Sequence, residues 1–236
     1  MMVCTSARQV GIQFFRTLML TILGLAVLGL LAGPRVSQVA GLSLLGSAVL
    51  AFLGFVLWTL GRLLAAKWIT VLLLACSLVS LLVPWHDEQT KGWAVQAIHA
   101  GESVTSALLL GSMSAAMLLG HSYLIAPTMS IEPLKNLVLG VAASVAGRSA
   151  VAAANLAMIN LSPTSHGAES AHSGLTGSLI AARWLIGLLG PAIIAWMVWQ
   201  TARIRSTQSA TGILYAGVIL TFFGELVSEI LSKHPQ

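Results

Sequence analysis

Charge is what this chain has least of. Only 8% of its residues are Asp, Glu, Lys or Arg and 57% are hydrophobic, whereas an ordinary soluble domain is roughly a quarter charged. That excludes a soluble globular domain. Aspartate occurs only at Asp87, which excludes intramembrane aspartyl proteolysis, a chemistry that needs a pair. There is no HExxH for a zinc protease. The lysines are Lys67, Lys91, Lys135 and Lys233, and none sits inside the last apolar run to form a retinal Schiff base. Cysteine is confined to Cys4 and Cys76, with no CxxC or zinc-type spacing. Basic residues outnumber acidic ones, 12 to 7, but they stand singly beside apolar runs. Orientation signals look like that, and nucleic-acid patches do not.

What is present is apolar sequence in spans. With about 20 residues per span and short connections, the chain has room for about seven helices and no sizeable soluble domain. The expected fold is therefore all-α, a polytopic transmembrane helical bundle in one integral membrane domain. The spans are expected at residues 14–32, 39–60, 68–83, 99–126, 135–161, 179–202 and 210–231. The first is read as an uncleaved helix, because its apolar core is long for a signal peptide and no small-x-small site follows. The first three contain no ionisable residue except Arg16 at an edge, and read as lipid-facing scaffold. The segment Pro84 to Ile98 places Trp85 and Trp93 around a charged patch, as at a membrane interface, and reads as a short surface helix. No internal repeat or low-complexity tract is visible.

The stretch His99 to Pro127 is the expected inner helix. His99 and Glu102 stand near one end and His121 near the other; the histidines lie roughly 33 Å apart along a helix and about 40° apart around it. Between them Gly101, Ser103, Ser106, Gly111, Ser112, Ser114, Ala115, Ala116 and Gly120 keep the helix thin enough for close neighbours.

Orientation follows from the basic residues. With the N-terminus cytoplasmic and the C-terminus outside, the inner side collects Arg8, Arg16, Arg62, Lys67, Lys135, Arg203 and Arg205, and the outer side only Arg35, Lys91 and Lys233. Counting about 1.5 Å per residue from the span ends then puts Glu102, Arg183 and Glu225 in the outer half of the bilayer and Arg148 near its middle.

An arginine at that depth costs at least about 2.5 to 3.5 kcal/mol and needs a partner or a wet cavity. Ser144 and Asn155 share the face of Arg148, and Glu225 is the carboxylate nearest in depth; Arg183 has Glu102 and Glu225 as candidates. Two readings stand: salt bridges that fix helix packing, or a proton-coupled or quinol-binding pocket. Pro191 cannot donate to the carbonyl of Gly187, so a bend is expected beside Arg183. Histidine pairing for haem b is possible only between His99 and His86, His166 or His172, and a bound haem is not expected. GSMSA at Gly111 to Ala115 has no histidine base from the sixth span. His166-x-x-Glu169-x-x-His172 could bind a divalent metal if helical, but a solvated Ser/Gly-rich loop is the reading, and no metal is expected.

From Gly120 onward, above all in RWLIGLLGPAIIAWMVW and the Gly224-Glu225-Leu226 triplet of the last span, the sequence resembles the membrane-anchor subunits of dimethyl sulfoxide reductase and, more distantly, of polysulfide reductase. The resemblance implies a bacterial inner-membrane, multi-pass protein that oxidises quinol, menaquinol or ubiquinol, and passes electrons to a redox partner such as an iron–sulfur subunit. The expected function is a quinol-interacting anchor, with Glu102, Glu225 and His99 taking protons and Arg148 and Arg183 setting their charge. The family tends to place an arginine soon after the triplet, where this chain has Glu229. A small transporter or channel, or a structural or assembly protein, stands as the alternative.

Overall fold

The computed structural model describes residues 11–32, 38–82, 93–125, 130–161 and 184–233. Among these residues every element is helical: α1 (Ile12–Ala32), α2 (Gln38–Thr59), α3 (Leu63–Leu82), α4 (Trp93–Ile125), α5 (Glu132–Leu161), a π-helical turn (Leu185–Leu189) that runs directly into α6 (Gly190–Arg203), and α7 (Thr207–Lys233). By length and composition 6 of these are apolar enough to cross a membrane, and Leu63–Val79 within α3 is a shorter apolar helix. The protein is a polytopic helical bundle of about seven spans.

Some boundaries move from those expected. α3 starts at Leu63 rather than 68, because Lys67 can ride in its first turns with an exposed side chain. α4 starts at Trp93, so the end of the expected surface helix is the first turn of the inner helix itself. α5 starts at Glu132 with Pro133 behind it, where a missing N–H costs nothing and an acidic side chain suits the helix dipole. Many hydroxyls within the helices return to their own backbone, as Thr70 does to the Ala66 carbonyl at 2.8 Å and Ser144 to that of Gly140 at 2.8 Å. This leaves few polar groups to be satisfied by apolar surroundings.

The chain divides into two compact units, residues 1–96 with 128–133, and 97–127 with 134–236. In the first, α1 packs on α2 and α2 on α3. Phe15 stacks on Trp58 with ring centres 4.3 Å apart. Met19 fills the space that a side chain at Gly54 would need, its sulfur 2.9 Å from where a Cβ would stand. The outer faces of α2 and α3 are leucine-rich and exposed, Leu42, Leu64 and Trp68 each above 70%, which is what lipid-facing scaffold requires.

In the second unit α4 lies against α5 and α7, and α7 against α6. A Cβ at Gly101 would meet Val151, and one at Gly120 would meet Thr211 and Leu214. Gly111, also in the small-residue stripe, faces open space.

Two hairpins are closed by the same device. Between α2 and α3, Gly61 takes a left-handed φ of +70°, its N–H donates to Trp58 O, and the Arg62 N–H donates to Leu57 O. Between α6 and α7, Arg205 takes φ +56°, its N–H donates to Ala202 O, and the Ser206 N–H donates to Thr201 O. Each is a Schellman turn. The buried positions recur at the same distances from the two turns: Ala51 and Ala195, Trp58 and Ala202 before them, Ala66 and Ala210, Thr70 and Leu214 after them. The hairpins thus share a register that their side chains do not advertise.

Candidate functional site

The polar chemistry of the second unit meets at Arg148, in the middle of α5. Its Nη2 lies 2.8 Å from Glu225 Oε2 on α7, with side chains 8% and 18% exposed. The same nitrogen donates to Ser228 Oγ at 3.4 Å, and Nη1 donates to the backbone carbonyl of Glu102 on α4 at 3.1 Å. Ser106, one turn after Glu102, donates its hydroxyl to the same Oε2 of Glu225. The Glu102 side chain is held from α5, where Asn155 Nδ2 donates to its Oε1 at 3.2 Å. One guanidinium and two carboxylates from three helices therefore share a site lined by two hydroxyls and an amide.

The backbone beside Glu225 is set by a close crossing. Gly224 beside it crosses Gly187 of the π-helical turn so closely that a Cβ on Gly224 would stand 2.4 Å from the Gly187 Cα. Only glycine permits that approach. The turn in turn traces to Pro191, which has no N–H to offer; upstream of it the Gly190 N–H reaches back to Leu185 O, one residue further than in an α-helix. The expected bend at Pro191 takes the form of this wide turn.

Of the expected site residues, Glu102, Glu225 and Arg148 come together. His99 does not join them: it is one turn from Glu102 on α4, its ring is exposed, and it makes no hydrogen bond or ion pair with the cluster. Arg183, His86, His166, Glu169 and His172, and the side chain of Glu229, lie outside the described residues. His121 is exposed at the other end of α4, its Nδ1 3.4 Å from the Tyr215 hydroxyl. Ser144, which shares the face of Arg148, bonds its own helix instead. Asn155, on that same face, holds Glu102. Ser106 and Ser228 were missed, although each stands within one helical turn of a carboxylate on its own helix, a spacing that puts side chains side by side. Among the described residues no group of three His, Cys, Asp or Glu side chains gathers for a metal.

The fold and this cluster define a multi-pass helical membrane protein with a buried ionic site. No family model, curated protein or solved structure matches the chain.

Proposed function

We propose that the chain is a membrane-anchor subunit of a bacterial respiratory oxidoreductase, multi-pass in the inner membrane, and that the Arg148 cluster takes up protons from menaquinol or ubiquinol. The observation that carries this reading is an intramembrane Arg148–Glu225 pair whose guanidinium also donates to the backbone carbonyl of Glu102, with the Glu102 carboxylate held nearby by Asn155. Oxidation of a hydroquinone releases protons with its electrons, so the site needs a base for the proton and donors for the oxygen left behind. Glu102 and Glu225 supply the first; Arg148, Ser106 and Asn155 supply the second. His99, exposed one turn before Glu102, is the group to pass protons outward. Electrons go to a redox partner such as an iron–sulfur subunit, in keeping with the resemblance of the C-terminal half to dimethyl sulfoxide reductase anchors.

A transporter or channel would need a polar path from the cluster toward the far end of α4. In that direction stand Leu109, Met113, Leu119, Val141 and Leu214, each no more than 1% exposed. The hydroxyls among them are turned into their own helices, Ser112 to Leu109 O and Thr221 to Gly217 O. This favours a site served from one side.

The test is quinol-dependent electron transfer in membrane vesicles. Glu102→Gln and Glu225→Gln are expected to lose about 10²-fold or more while remaining folded, the usual scale for a proton-transferring group. Folded variants with full activity would overturn the assignment.

A further inference from the structure

The first unit contains an anion-seeking patch that the cluster in the second does not use. Residues 1–86 carry Arg8, Arg16, Arg35, Arg62 and Lys67, and the first acidic residue is Asp87. Arg16 lies in the second turn of α1, half-buried, with its guanidinium carbon 5.5 Å from the centre of the Phe55 ring. Its Nε is buried with no hydrogen-bond acceptor, and Arg16 makes no ion pair with a described residue. One residue earlier, Phe15 stacks on Trp58, whose Nε1–H is also buried with no acceptor. Phe55 and Trp58 are one turn apart on α2. The two donors therefore belong to one patch, where the start of α1 meets the end of α2. The turn that follows carries the exposed Arg62, with Lys67 exposed on α3.

A buried donor without an acceptor is costly, and a cation without a counter-charge more so. The α1–α3 segments have no carboxylate to offer. The abundant anion at the edge of a bilayer is the lipid phosphate, which basic residues next to membrane spans attract. Guanidinium N–H groups only donate, and a phosphate ester only accepts. We propose that this end of the α1–α2 pair binds the headgroup phosphate of an anionic phospholipid, with the half-buried Arg16 guanidinium as its charge partner. The Phe55 ring holds the guanidinium in place, and Arg62 lies at the rim.

The experiment is thermal unfolding of the full-length protein in a non-ionic detergent, with phosphatidylglycerol, phosphatidylcholine or inorganic phosphate added. Phosphatidylglycerol is expected to raise the Tm of the unsubstituted protein by about 2–4 °C, to do the same for Trp58→Phe, since the Trp58 indole N–H is closed off from the headgroup, and to do nothing for Arg16→Gln. Native mass spectrometry should count one retained lipid fewer in Arg16→Gln. Equal stabilisation of Arg16→Gln and the unsubstituted protein overturns the proposal. So does an equal shift from phosphatidylcholine, which would mean that net charge is not read. An equal shift from inorganic phosphate would make it a free-anion site and overturn the lipid assignment.

Discussion

Arg148 is one guanidinium with contacts on two other helices, and its substitutions separate packing from proton handling. If the pair with Glu225 is only structural, Glu225→Gln leaves a buried cation underpaired and destabilises by about 3 to 5 kcal/mol. Glu225→Gln/Arg148→Gln should then recover most of that loss. If Glu225 handles protons, the single variant stays folded, because the amide can still accept from Arg148, and only activity falls. Thermal unfolding beside vesicle activity on both variants decides between them. Much of this site was legible in the sequence. Arg148 announces itself as a cation in an apolar run, and depth counting singles out Glu225 as its carboxylate. Depth counting cannot give azimuth, however, so it could not show that Asn155 turns to Glu102 rather than to Arg148. Nor could it show that His99 stays outside.

At the scale of elements, the crossing of the π-helical turn and α7 rests on two glycines of unequal tolerance. A Cβ on Gly224 collides with backbone, whereas one on Gly187 would lie 3.5 Å from the Gly224 Cα, an ordinary contact. Gly224→Ala should therefore destabilise by about 1–3 kcal/mol or more and displace Glu225. Gly187→Ala should be mild. Unfolding measurements on the two alanine variants test the difference. The Schellman turns give the opposite contrast. Arg205 holds a left-handed conformation that costs a non-glycine residue about 1–2 kcal/mol. Arg205→Gly should raise stability by up to that amount and Gly61→Ala should lower it by a similar one, both read by Tm. Hydropathy located the helices themselves. It could not place the start of α4, since Trp93 to Ile98 is flanked by charge, nor foresee that Pro191 widens a turn rather than simply bending a helix. The matched hairpins were invisible because glycine and arginine occupy the same backbone state.

At the scale of the whole molecule, the two turns carry Arg62 and Arg205, and the bias of basic residues predicts that each faces the cytoplasm. A reporter fused after Gln236 should be active outside the cytoplasm, and one fused after Lys135 should be active inside. Reversed signals would overturn the orientation and turn the cluster to the other face. The tight closure of α2 onto α3 also bears on biogenesis. Lys67 in the first turns of α3 and the exposed Arg62 just before it weaken the case of that helix for entering lipid alone. A three-residue connection leaves it no freedom to wait outside while α2 goes in. The two helices are therefore expected to enter the membrane as one hairpin, with the uncharged α2 drawing α3 in beside it.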